Sequence, residues 1–600
     1  DQSNQFNQTS GQEVSVNLTS GGWDLNGQTE TVYAFSNSGG TFTTGAGGSL
    51  TGVGATITWS GGTNTINDAA TVADTHWDVS GGTNTVEGGA TGGTLHVQTG
   101  GIGFEFTGAG APNITLNSDA TVAGRMLLEG NFSSANTLTG TATITSGGAA
   151  ANPGFIDLGA GTRTFTIADA APAIDVEILA SIQNGGVTKD GAGTLRFSGV
   201  NTYTSPTTVN AGVLSLFGGS AIADSNAVTV TSPGALNVDA SETIGSLAGT
   251  GSVVLTGSLT AGGNNSSTSF SGVASGGGGF TKEGTGTLTL GAENTYTGGT
   301  TVNGGVLELS RPVNSGTGTI RGNLTINNGA IVRTTTTNSL GWGGGTKVNT
   351  VNINQGSRLE NIASGDQGWG LTVNLDGGEL RSNNGVSSTG GQYYSLGGGS
   401  SINSLANAGS VTSVISGRIN LRESNAANTL TFNVADTPGN ATDLLVTAAI
   451  TQSGTRAIAK TGAGTMLLTG TGTFSGGTTI SGGILALGGD SANNQNDASL
   501  GTGAVTISNA QLRFGGNAGA TVNHFISNAI TLNGNAVLGS IDGDQYLQGG
   551  VAINGAGNQA FTRWGGKDLI FDSAVSGSGA LAIDDETAGG GSGAVRFTTA

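Results

Sequence analysis

The sequence predicts an all-β chain: a single-stranded β-helix, or β-solenoid, of about 20 residues per rung and roughly 30 rungs. Three observations predict it. Short runs of alternating apolar and polar residues are punctuated by Gly, Thr and Asn. Near-identical segments recur. Within each segment the strand pattern repeats at a fixed step. Gly is 113 of 600 residues and charged residues are 10%, against roughly 25% in an ordinary soluble protein. Hydrophobic residues, 35% of the chain, come in short alternating runs, which separates it from a disordered Gly-rich linker. Gly follows no strict third-residue period, so collagen is excluded.

The clearest segment is "KEGTGTLTLGAENTYTGGTTVNGGVLELS", and ungapped copies lie at "KDGAGTLRFSGVNTYTSPTTVNAGVLSLF" and "KTGAGTMLLTGTGTFSGGTTISGGILALG". Lys189, Lys282 and Lys460 correspond, as do Tyr203, Tyr296 and Phe474, and then Leu214, Leu307 and Leu485. Inside each copy the first strand precedes the second by 19 positions: Leu195 to Leu214, Leu288 to Leu307, Met466 to Leu485. The N-terminal region carries a similar step independently. Ser-Gly-Gly recurs at Ser20, Ser38, Ser60 and Ser80, and "TWSGGTNTI" returns 20 residues later within "HWDVSGGTNTV".

Alternation assigns the faces. Leu288 and Leu290 point one way, Thr287 and Thr289 the other. Glu308 is a poor core residue, so Leu307 and Leu309 face inward. Gly298, Gly299, Gly304 and Gly305 suit corners, and Asn294 and Asn303 suit turns, where Asn stacks on Asn between rungs. At ~4.8 Å per rung the whole makes a rod about 140–150 Å long. The segments divide as residues 1–180, with degenerate Ser-Gly-Gly rungs; 181–488, with the copies at 189–216, 282–309 and 460–487; and 489–600, an uncapped continuation. Ser382–Gly391 and Gly488–Leu500 read as excursions.

The pattern Lys-x-Gly-x-Gly-Thr-Leu-x-Leu, Asn-Thr-Tyr-x-Gly-Gly-Thr-Thr-Val, Gly-x-Leu-x-Leu resembles the autotransporter-associated β-strand repeat, also called the passenger-associated transport repeat. The resemblance implies a right-handed β-helix, on or outside a bacterial cell, whose repeat aids export and folding of a passenger. Proteins of that kind usually end in a translocator barrel, which the sequence does not contain before Ala600.

Composition bounds the partners. Nineteen Lys+Arg against 38 Asp+Glu give a net charge of −19, which disfavours nucleic acid and anionic membranes. Cys is absent, which excludes disulfides and thiolate metal sites. No run of 18 apolar residues occurs. The absence of a leader at Asp1 reads as an exported chain whose signal peptide has been removed.

Chemistry is sparse. His76 and His96 lie 20 apart and are read as an aligned His ladder rather than a two-His metal site. His524 has no Ser or Cys motif near it. The repeated lysines are read as solvated corners or salt-bridge partners. Asp490, Asp497, Asp542 and Asp544 are weak metal candidates for Ca²⁺; no cofactor is otherwise expected. Asp584, Asp585 and Glu586 read as a loop. Trp59 and Trp77 read as core filling ahead of a sugar platform. The tail "GSGAVRFTTA" resembles the repeat's first strand and the head "QEVSVNL" its second. Counting 19 on from Val595 and Phe597 lands on Val14 and Val16 of a following copy. The expected function is therefore non-enzymatic: an extracellular or cell-surface rod acting as fibre subunit or adhesin-like scaffold. It polymerises head-to-tail, stands as the stalk of an anchored autotransporter, or binds or cleaves a cell-surface or matrix polysaccharide.

Overall fold

A strand three to seven residues long cannot bury its apolar side alone, and a glycine at each end of it lets the chain turn at once. In the structure, a computed structural model, the chain therefore coils. It describes residues 14–598 apart from 54–55, 119–120, 149–152, 312–315, 369, 383–391, 398, 423–428, 489–496, 516–522, 542, 563–566 and 586–592. Among the described residues the one helical segment is a single 3₁₀ turn, Ala498–Leu500. Strand pairs with strand one turn further along, always in parallel, as Leu195 with Leu214 and Met466 with Leu485. The fold is an all-β parallel solenoid.

The 19-residue step holds inside the first and third copies. Elsewhere the turn is not constant: Ala235 pairs with Ser252, 17 residues on, and Glu379 with Val414, 35 on. The described residues thus make about 23 turns rather than thirty. The longer turns add a third strand or a corner insertion. Of the expected excursions, all but the ends (Ser382, Gly488 and 497–500) lie outside the described residues.

The chain divides into two compact units, one of Asp1–Leu288 with Thr295–Gly298, the other of Thr289–Asn294 with Gly299–Ala600. In the first unit each early turn has three strands, such as Ser15–Leu18, Gly22–Asp24 and Thr29–Val32. These stack on Ala34–Asn37, Thr41–Thr43 and Ser49–Gly52. At the first repeat copy the third strand gives way to the Asn201–Pro206 loop, so two strands make a turn. The second unit also alternates two-strand and three-strand turns, and Leu569–Phe571 pairs with Val595–Phe597 at its end.

The core follows the alternation. Leu288, Leu290, Leu307 and Leu309 are buried while Thr287, Thr289 and Glu308 face outward. A buried Leu contributes about 1.5–3 kcal/mol over an exposed one. Phenylalanines fill the first unit's middle turns: Phe132 stacks between Phe104 and Phe165, its ring centroid 5.2 Å from each. Trp59 and Trp77 are fully buried and meet edge to face at 5.3 Å. They fill the core, and their indoles are closed to sugar.

Asn stacks on Asn in both units. Asn37 Nδ2 donates to Asn64 Oδ1 and Asn64 Nδ2 to Asn84 Oδ1, both at 2.8 Å and buried. In the second unit Asn403 donates to Asn374 and Asn374 to Asn352, again at 2.8 Å. Asn64 with Asn84, and Asn352 with Asn374 and Asn403, stand in register, whereas Asn37 pairs with Trp59 and reaches Asn64 from the neighbouring sheet; each contact works because a primary amide is donor and acceptor at once.

Candidate functional site

The repeat builds one device that an ordinary rung lacks. Lys189 lies in the strand Gly186–Asp190 at an inward position and is fully buried. Its column runs Phe165, Lys189, Val209, Val230, one residue per turn. The ammonium reaches the corner that follows its own strand. There Nζ donates to the carbonyls of Asp190 (2.8 Å), Gly191 (2.7 Å) and Ala211 (3.0 Å). The first two belong to its own turn, the last to the next. Three N–H donors meet three carbonyl oxygens, so the charge is satisfied without a carboxylate. Glycine is required at the corner. Gly212 has φ +62°, and a Cβ there would stand 2.4 Å from the Gly191 carbonyl and 2.7 Å from Lys189 Nζ.

Lys460 repeats the arrangement. It is buried in a column of Phe432, Lys460, Ile480 and Ile507. Its Nζ donates to the carbonyls of Thr461 (3.0 Å), Gly462 (2.9 Å) and Gly482 (2.9 Å). Lys282, also buried, donates to Glu283 (2.6 Å) and Gly284 (3.0 Å). Burial pushes Lys189 down to about 8 against the pull of Asp190 and Asp175, and Lys460 down to about 8 against that of Asp443. Lys282 is lowered by burial and partly restored by Glu283. The reading of these lysines as solvated corners is corrected: alternation places each of them inward, and the corner carbonyls replace water.

Two partners of the clasp lie outside the repeated segment. Asp175, buried one turn before Lys189, accepts from the amides of Ala170 and Thr194, both at 2.7 Å. Asp443 accepts from Thr437 at 2.8 Å and Thr465 at 2.7 Å. Each acid thus holds the turn above and each lysine the turn below. In the second copy Ser267 takes the acid's place, its hydroxyl accepting from Thr287 at 3.0 Å. The spacings differ, 19 residues from Asp175 to Thr194 and 22 from Asp443 to Thr465, so ungapped alignment passes over them.

The other repeat positions are structural. Tyr203, Tyr296 and Phe474 are buried under the loop that replaces the third strand. Tyr203 Oη bonds Thr207 Oγ1 at 2.9 Å, and burial holds its phenol far above the ordinary range. Leu214, Leu307 and Leu485 are fully buried.

The remaining candidates separate. His76 pairs in register with Gly103 and bonds Thr56, whereas His96 lies on another sheet between Ala73 and Leu127 and bonds Glu129 at 2.8 Å. The expected His ladder does not form, because the turn that starts at His76 takes 27 residues to reach its register partner Gly103, and a 20-residue step falls short of it. Asp497 meets His524 Nδ1 at 2.8 Å in a buried pair and accepts from the Ser499 amide at 2.8 Å, so its carboxylate caps a turn. Asp544 is a link in a backbone-capping series. Asn523 accepts from the Asp544 amide, Asp544 from the Asp568 amide and Asp568 from the Ala594 amide, at 2.7, 2.9 and 2.9 Å. Asp490, Asp542 and Glu586, with Trp369 and Trp564, lie outside the described residues. Among the described residues no three of His, Asp and Glu gather as metal ligands.

The head and tail residues lie in or next to the terminal strands of the described solenoid. Val16 lies in Ser15–Leu18, the Val14 carbonyl accepts from Tyr33, and Val595 and Phe597 lie in the last strand. Both ends use three-strand turns.

The fold and its clasped copies define a repeat-built parallel β-solenoid. The passenger-associated-transport-repeat family model matches residues 187–216, 280–309 and 458–487. Each match begins two residues before the lysine, on the buried Val187, Phe280 or Ile458. The chain thus carries three copies of that repeat. Over 261 residues it is 33% identical to "Adhesin BmaC autotransporter" of Brucella suis biovar 1 (strain 1330). That stretch covers 35% of this chain and 7% of the length of that protein.

Proposed function

We propose that the chain is a segment of the exported, surface-displayed passenger of an adhesin-like protein, a non-catalytic scaffold that carries binding surfaces outside the cell. The observation that carries this reading is the clasped repeat, present three times in a solenoid that is similar to an adhesin autotransporter. Asp175, Asp443 and Asp497 cap backbone turns, and Asn352, Asn374 and Asn403 form a ladder between turns. The test is display. The chain, joined to a signal peptide and a translocator barrel, should reach the outer surface, resist added protease and raise attachment to matrix-coated plates. Retention in the periplasm would overturn the export reading, and display without attachment would overturn the adhesin reading.

A fibre is the second reading. Among the described residues Ser15–Leu18 and Val595–Phe597 each pair along one edge only, and such an edge accepts another strand. A further copy or more of the same polypeptide could supply it. Filaments grown from purified chain, and lost when residues 14–32 are deleted, would favour self-assembly. Single particles at micromolar concentration would exclude it.

A further inference from the structure

A solenoid of repetitive strands has a register problem. Sliding one strand by two residues against its neighbour keeps every inward residue inward. Here the cost of such a slip is small wherever the outward column is Thr on Thr and the inward ones are Val, Leu and Ile on one another. Val505–Ile507 against Ile530–Asn533 is such a pairing. The lysine is different. Lys189 is the one charged residue in its column, between Phe165 and Val209. Its carbonyl partner on the next turn, Ala211, sits at the corner two residues past Val209. A two-residue slip takes that carbonyl away from the ammonium and leaves one of its three donors unmet in the core, while the Asp190 and Gly191 carbonyls of its own turn remain. The same holds for Lys460, whose column neighbours are Phe432 and Ile480 and whose next-turn acceptor is Gly482.

We propose that the buried lysine is a register key: it admits one alignment of the following turn and disfavours the slipped ones, by leaving a buried ammonium one acceptor short when the next turn's corner carbonyl is displaced. Fixing one alignment among near-equivalent ones is the best-supported use of a buried polar group. The inference rests on the fold alone and stands whether or not the chain is an adhesin. Asp175 and Asp443 extend the key one turn upward by capping Thr194 and Thr465, so three consecutive turns are set at one corner.

The absence of Cys makes the test direct, since an engineered pair reports its own spacing. Thr194 and Val213 are register partners with half-exposed side chains. Thr194→Cys with Val213→Cys would close a disulfide in the native register. Arg196→Cys with Val213→Cys would close one only after a two-residue slip, because in the native register those Cα atoms lie beyond disulfide reach. The full chain is unfolded, refolded under oxidising conditions, and the linked peptides are counted by mass spectrometry. With Lys189 present the native pair closes and the slipped pair stays open. In Lys189→Met the slipped linkage should rise roughly tenfold or more. The same measurement on Thr465→Cys with Ile484→Cys, and on Leu467→Cys with Ile484→Cys, reads Lys460→Met independently. The melting temperature is free to fall, since three carbonyls lose a donor, and register is the readout. An unchanged ratio of slipped to native linkage in both lysine variants overturns the proposal. So does failure of both variants to form any folded cassette, which would make the lysine an obligatory core group rather than a key.

Discussion

Lys189 and Lys460 show how a charge can be buried in a thin core without an ion pair. An ammonium offers three donors, and a glycine corner with no side chains offers bare carbonyls at the right spacing. Crowding that corner is costly. Gly212→Ala places a methyl 2.4 Å from the Gly191 carbonyl at a left-handed φ. It should destabilise the first unit by about 1–3 kcal/mol or more, read as a shift in its urea midpoint. The depressed lysines also set a pH dependence. Folded Lys189 and Lys460 lose their protons from about 8, unfolded ones near 10.5. The unfolded chain therefore holds more protons across that window, and stability climbs as pH rises through it. Urea titrations between pH 7 and 10.5 should show the climb in the native chain and not in a Lys189→Met, Lys460→Met double variant. A profile equally flat in both would refute it. On the acid side, burial raises Asp497, but the bonds from His524 and Ser499 outweigh it and leave it below 3.8. That contribution is present above the ordinary carboxylate range and is lost as pH falls below it.

At the scale of the strand and the turn, the ladders carry the prediction. Asn64 is bonded on both sides, from Asn37 and to Asn84. Asn64→Ala leaves a buried donor and a buried acceptor unmet, each costing about 1–3 kcal/mol. Amide exchange should quicken along Asn37, Asn64 and Asn84 before it does in the second unit. Equal loss of protection in both units would count against a local ladder. This is also the scale at which the sequence was easiest to read. Leu195 over Leu214 and Met466 over Leu485 could be taken from the 19-residue step because no insertion interrupts those two turns. Phe132 over Phe165, 33 residues on, could not, since a third strand and a long corner separate them. The lysine itself was legible as a repeated position but not as a buried one. Burial was decided by three backbone carbonyls, which leave no mark on residue type. Asp175 and Asp443 were hidden by their unequal spacing.

For the whole molecule, turn-on-turn contact makes stability a chain of nearest-neighbour terms rather than a single core. Equilibrium unfolding in urea should accordingly proceed in more than one step, with circular dichroism and Trp fluorescence giving different midpoints. The indoles report unevenly, since Trp59 and Trp77 are buried in the first unit while Trp342 in the second is half exposed. One sharp transition seen identically by both probes would argue against the solenoid description. Charge acts at this scale too. In the second unit Glu308, Arg333, Glu360 and Arg381 stand in register as an alternating column, with Arg333 3.3 Å from Glu360. The opposite charges offset one another locally even though the chain as a whole carries −19.

The clasps have a practical consequence for anyone taking stock of a cell envelope. The chain has five lysines. Lys189, Lys282 and Lys460 are sealed in their corners, and Lys347 and Lys567 are half-buried. Lys347 is also bonded to the Gly370 carbonyl at 2.9 Å. Amine-directed biotin, the common tag for exposed proteins, would find little here to react with. An inventory built on that tag would undercount this protein in proportion to how well it is folded, whereas one built on carboxylate coupling, with 38 acids to draw on, would not.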